Sequence, residues 1–178
     1  LDKGALGEYL GGHEAFPCAV LRAFASTFDF AGRDIDAALR IFLESFQLPG
    51  EAQKIDRVVE EFSRAFFEQH VAAGLETPFR HPDAAHILSY SIIMLNTDQH
   101  NAQVKHKMTC DDFVRNNRGI NQGADLPRDL LADIFASIAR EPIRLTGAPD
   151  DPAGGAAPVS KEAWDELLQR TRVPGPGN

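Results

Sequence analysis

A proline-glycine corner followed at once by a long apolar ladder constrains this chain more than any other stretch. In residues 46–57, FQLPGEAQKIDR, Pro49 fixes its own φ and biases Leu48 away from the α region, so a helix entering here must stop. Gly50 is expected to take a backbone conformation that other residues resist. Ile55, Val58, Val59, Phe62 and Phe66 then recur at helical spacing, which predicts a helix over roughly 51–71 with one buried face. The corner delivers Glu51 onto the start of that helix, and Asp56 follows on its first two turns. A carboxylate at a helix N-terminus complements the positive end of the dipole, worth about 0.3–1 kcal/mol. Spacing alone leaves that role and a functional one both open.

The rest of the chain also reads as helix. Leu6, Tyr9 and Leu10 predict a short helix ending at Gly11–Gly12, and residues 16–28 predict a second. Asp34 is placed to cap a third, carrying Ile35, Leu39, Phe42, Leu43 and Phe46 and running directly into the corner. Residues 86–95, HILSYSIIML, are apolar nearly all round, as in a helix at the centre of a bundle. Residues 96–107 and 116–125 read as two polar connections, with a Thr109–Asp112 helix start between them. Leu130, Leu131, Ile134, Phe135 and Ile138 predict a helix that ends before Pro142. Residues 145–159, rich in Pro, Gly and Ala, predict a linker. Residues 160–178 predict a short amphipathic helix with Trp164 and a tail, either packed on the domain end or belonging to a following region. The expected architecture is one all-α domain, an array of seven or eight helices.

Charge and chemistry narrow the function. The formal net charge is −8, which argues against non-specific binding to nucleic acid or anionic membrane by this segment, although Lys105, His106 and Lys107 form a small basic patch. No run approaches the ~18 apolar residues of a membrane span. Cys18 and Cys110 form no disulfide framework, and a reducing compartment is the default. His81, His86, His100 and His106 match no zinc spacing; exposed loop or helix-boundary histidines are the simpler reading. Residues 117–123 lack the acidic ligands of a calcium loop. There is no phosphate-gripping glycine loop and no paired nucleophile and base. A corner-mounted carboxylate, two polar connections and a strongly apolar helix suit a protein that grips another protein in a groove with a polar rim. Tyr90 and Met94 serve that groove or simply pack the core.

FQLPGEAQKIDR at 46–57 and SYSIIMLNTDQHNAQVKHKMTCDDFVRNNRGIN at 89–121 resemble the two signature motifs of the Sec-seven domain, the guanine-nucleotide exchange domain for Arf-type small GTPases. The resemblance covers about residues 1–141. The family domain has further helices upstream, so residues 1–144 are expected to be an N-terminally truncated exchange domain. Asp98 and Gln99 make it similar to the large Golgi-type factors. The resemblance implies an elongated superhelix of helices whose hydrophobic groove takes the switch regions of the GTPase. Glu51 sits where the family has its glutamic finger, which opposes the β-phosphate and Mg²⁺ and pairs with the phosphate-binding lysine of the GTPase. It implies GTPase-binding roles for Asp56, Tyr90, Ile93, Met94, Asn101, Lys105 and Met108, with Asn101 supporting the finger and its own loop. Arg57 is a further interface residue or a scaffold residue holding the loop. Tyr90, Ser91, Asp98 and Met108 match members sensitive to brefeldin A. No cofactor is implied, since GDP, GTP and Mg²⁺ belong to the partner GTPase. The family implies a cytosolic protein recruited to Golgi-related or endosomal membranes, without an anchor in this segment.

Overall fold

The computed structural model describes residues 2–145. The predicted linker, but for Leu145, and the predicted helix with Trp164 lie outside the described residues. Among those described, the elements are seven helices: α1 (Lys3–Leu10), α2 (Ala15–Ser26), α3 (Ile35–Leu43), α4 (Ala52–Ala72), α5 (Pro82–His100), α6 (Cys110–Asn116) and α7 (Arg128–Arg140). Extended backbone pairs at one isolated bridge, Asn121 with Ala124. Packing runs along the array: α1 lies on α2, α2 on α4, α4 on α5, α5 on α7 and α7 on α6. Helix α3 touches α4, α5 and α7 and closes the middle. The all-α array expected from the periodicity, with the elongated arrangement that the resemblance implies, is what forms.

Aromatic rings tie the first half together. Phe62, fully buried on α4, meets Phe30 at 5.1 Å and Phe42 at 5.5 Å between centroids. Phe42 in turn meets Phe46 edge-on at 5.3 Å, which fastens the chain entering the corner to the core. Edge-to-face pairs of this kind add to the burial of the rings themselves. The second half is organised by α5, whose residues from Ala84 to Ile93 are all buried, as the all-round apolar pattern predicts. Thr109 caps α6 through a complete capping box with Asp112.

Three local expectations change. Helix α3 ends at Leu43, before Phe46, because the chain turns to let Gln47 N–H donate to the Lys3 carbonyl at 3.1 Å. Gly50 does not need the left-handed region: the glycines found there are Gly32, Gly74, Gly119 and Gly123. The polar connection begins later than predicted, since α5 continues to His100. Asn96 is buried in that last stretch and exchanges both hydrogen bonds with the Ile143 backbone, at 3.1 and 2.8 Å. The second connection, residues 116–125, is exposed over much of its length but is stapled inward at two buried asparagines. Asn121 accepts from Arg80 N–H and donates to the Pro78 carbonyl, and Asn117 donates to Ser91 Oγ and the Phe113 carbonyl. Buried amides are tolerated because such partners replace water.

Phe62→Ala is expected to cost about 3–5 kcal/mol of unfolding free energy, read from the denaturant midpoint, because the emptied site is walled by rings that cannot collapse into it. A second expectation concerns pH. The Thr109 N–H first, then its hydroxyl, hold the Asp112 carboxyl below its ordinary value of 3.8. A depressed folded-state value means the cap contributes fully above 3.8 and is lost as the pH falls through the lower value. Asp112→Asn should therefore flatten the acid limb of the stability curve and lower stability at neutral pH.

Candidate functional site

The corner is anchored on one side and bare on the other. Phe46, Leu48 and Pro49 are buried, whereas Gly50, Glu51, Ala52 and Gln53 are exposed. Glu51 occupies the N-cap position of α4 with extended backbone, yet its side chain makes no capping hydrogen bond. Its carboxylate is 72% exposed. At this position the carboxylate lies at the positive end of the α4 dipole without being tied to the helix by a hydrogen bond of its own.

What holds the corner is α1. Arg57, on the second turn of α4, donates from Nε and Nη2 to the Gly11 carbonyl at 3.0 and 2.7 Å. That carbonyl lies at the C-terminal end of α1, where backbone acceptors lack helical partners. Gly7 lets α1 lie against the corner, because a Cβ there would stand 1.7 Å from the Gln47 carbonyl oxygen. Between the two open readings of Arg57, this geometry favours the scaffold. Lys54 completes the arrangement: its ammonium hydrogen-bonds Glu8 of α1 and lies 3.3 Å from Glu51 Oε1. The Glu8 carboxylate, ahead of Glu51, raises the Lys54 pKa above its ordinary value, so the ammonium stays charged.

Asp56 turns inward instead of standing on the surface. It accepts from His86 Nε2 at 2.8 Å, with side-chain exposures of 17% and 10%. His86 is therefore neither a loop residue nor an exposed boundary residue, as its sequence context suggested. The missed signal was a polar residue inside an otherwise apolar helix, which demands a buried partner. Glu60, Arg64 and Glu68 share a cleft with His81, Asp83 and His86. Helices α4 and α5 are thus antiparallel, and the turns of α5 beyond His86 run toward the corner.

Along those turns Tyr90, Ser91 and Ile93 are buried, while Met94 and Met108 are partly buried at the edge of the core. Tyr90, Ser91 and Ile93 therefore lie beneath the surface in this structure. The loop after α5 is tightly stapled. Asp98 Oδ2 accepts from Met108 N–H at 2.7 Å, and Gln99 Nε2 donates to the Met108 carbonyl at 2.9 Å. Lys107 Nζ donates to the Asp98 and Asn101 carbonyls at 2.8 and 2.6 Å, neutralising the C-terminal end of the helix. Asn101 Oδ1 accepts from Gln103 N–H at 2.9 Å, so its side-chain bond supports its own loop and not the Glu51 corner. Lys105 stands exposed beside this loop. Among the described residues no group of three or more His, Cys, Asp or Glu is arranged to hold a metal ion. No helix among them is long and apolar enough to cross a membrane.

Comparison with known proteins agrees with this geometry. The family model described as "Sec7 domain" matches residues 1–143. Among curated proteins, the ARF guanine-nucleotide exchange factor GNOM of Arabidopsis thaliana is 49% identical over 176 residues, which is 99% of this chain and 12% of that protein. The chain thus spans about an eighth of the length of that relative. Among solved structures, the Sec7p catalytic domain superposes with a TM-score of 0.73 at 48% identity, covering 80% of this chain and 73% of the other. The Sec7 domain in a structure of ARF1-GDP bound to Sec7 domain complexed with brefeldin A gives 0.71 at 42% identity, covering 80% and 69%. A match over nearly all the described residues, carrying both the corner and the stapled loop, makes this chain a member of the Sec7 domain family.

Proposed function

We propose that this chain promotes GDP release from an Arf-type small GTPase, with Glu51 as the carboxylate that enters the nucleotide site. The observation that carries the reading is a carboxylate held at a braced corner, 72% exposed and bonded to no backbone group of its own helix. Relatives described as ARF exchange factors, and a related domain solved with ARF1-GDP, support the choice of partner. A negative charge brought against a polyphosphate in a partly dry cleft raises the free energy of the bound nucleotide. About 4 kcal/mol of such destabilisation corresponds to roughly a thousand-fold in equilibrium constant. No covalent bond is made or broken, and GDP, GTP and Mg²⁺ remain the partner's.

Binding energy for that insertion comes from the neighbouring edge of α5. Met94 and Met108 are the accessible apolar contacts, and thioether side chains adapt to the aromatic groups of a partner. Tyr90 and Ile93 lie beneath as a rigid floor. Asp56 acts through His86, Asn101 shapes the loop, and Lys105 faces acidic or backbone groups of the GTPase. The domain works in the cytosol, brought to Golgi-related or endosomal membranes by its partner or by other parts of the protein. Brefeldin A is proposed to bind where Tyr90, Ser91, Asp98 and Met108 meet the GTPase, which requires the drug to reach side chains now largely covered.

Release of fluorescent GDP from a myristoyl-free Arf is the test. Wild-type chain should accelerate it, and Glu51→Lys should abolish the acceleration while leaving the helical melt unchanged and trapping a nucleotide-bound complex that co-elutes. Equal rates for the two proteins would rule out the finger. Saturating brefeldin A should slow the wild-type reaction, and the Tyr90→Phe/Ser91→Ala variant should escape that slowing; an unaffected wild-type rate defeats the drug assignment.

A further inference from the structure

We propose that Glu8 and Lys54 act as a counter-charge relay for the finger, Glu8 retaining the Lys54 ammonium when Glu51 swings away to enter the GTPase. The inference rests on the exchange function proposed above and assigns positioning roles to two residues outside the finger. Lys54 hydrogen-bonds Glu8 and holds Glu51 at 3.3 Å, so one cation is shared by two carboxylates. The three groups differ in freedom. Lys54 is 19% exposed, with its stem against Gly11, where an added Cβ would meet Lys54 Cβ at 2.8 Å. Glu8 rides on α1, whose C-terminal end is fixed to α4 through Arg57 and the Gly11 carbonyl. Both carboxylates face solvent, Glu8 at 58% and Glu51 at 72%, but Glu51 sits at the corner itself and Glu8 on the braced helix.

A lone ammonium beside Glu51 would oppose exchange twice. It would hold the finger at home against the competing lysine of the GTPase. If it followed the finger, it would also cancel the charge that destabilises the phosphates. Glu8 removes both problems, because Lys54 keeps a counter-ion at no geometric cost when Glu51 leaves. The Glu8 carboxylate raises the Lys54 pKa further above its ordinary value, so the ammonium is a constant feature and not a pH switch.

The full 178-residue chain is assayed for release of fluorescent GDP from myristoyl-free Arf, with the GTPase concentration varied. Glu8→Gln should lower the maximal rate about fivefold, the size of a strong exposed ion pair, with little change in the GTPase concentration for half-maximal rate. Lys54→Gln added to Glu8→Gln should recover most of that loss, because the cation that then burdens Glu51 is gone. A Glu8→Gln variant as fast as wild type overturns the relay. So does a double variant as slow as the single one, which would reduce Glu8 to a brace for α1. Glu51→Lys is run alongside: if it exchanges at the wild-type rate, the finger itself falls, whereas its inactivity with a wild-type Glu8→Gln rate removes the relay alone.

Discussion

The bond from the Arg57 guanidinium to the Gly11 carbonyl decides what the corner can do. A helix ends with carbonyls that have no partner within it, and α1 ends beside the first turns of α4. Arg57 meets that need twice over with one side chain. Charge-assisted hydrogen bonds of this kind contribute about 1.5–3 kcal/mol each. Because the acceptor belongs to α1 and the donor to α4, the same bond that finishes one helix locates the start of the other. The close approach it needs depends on Gly7, whose missing Cβ leaves room for the Gln47 carbonyl. Proline alone would have set a bend; α1 gives the bend a fixed direction.

Fixing the direction matters because a charge is useful only where it points. The corner spends its apolar groups inward through Phe46, Leu48 and Pro49, and leaves four successive residues in water. Within that exposed run Glu51 is the acidic side chain, and the chain as a whole carries a formal net charge of −8. An acidic domain gains nothing electrostatically from approaching a nucleotide phosphate. On the proposed function, the repulsion is the working force, and apolar contact at Met94 and Met108 must supply the affinity that brings it to bear. The division explains why the charged corner and the apolar edge of α5 belong to antiparallel neighbours and not to one helix.

Helix count, the central place of α5 and the capping box of α6 were legible because each rests on local spacing: an all-round apolar run, a ladder, a Thr with Asp three residues on. The polar residues were legible only as polar. Asn96 meets Ile143, Asp56 meets His86 and Asn121 meets Arg80, and in each case the partner is 30 to 47 residues away. A sequence read alone shows an Asn as a group needing partners, and a loop at the surface supplies them most simply with water. At these positions the protein itself supplies them. Asn101 shows the opposite limit. The resemblance gave it a link to the finger, but its side chain bonds the backbone two residues along.

The stapling also bears on how the site could open. Met108 is held at both its N–H and its carbonyl, by Asp98 and Gln99, and Lys107 pins the end of α5 from the same loop. A loop bonded this densely to one helix end moves with it as a unit. Tyr90 and Ile93 lie further up the same helix, closed over by packing. Exposing them to a partner or a drug therefore asks for a shift of α5 against its neighbours and not for a rearrangement of the loop. The Asp56–His86 contact and the Asn117–Ser91, Asn96–Ile143 and His100–Ile138 bonds are among the polar ties such a shift must stretch, since each joins α5 to another part of the chain. Rigidity at the corner and cohesion in the loop thus place whatever movement the groove requires between helices, where small displacements of packed surfaces are least costly.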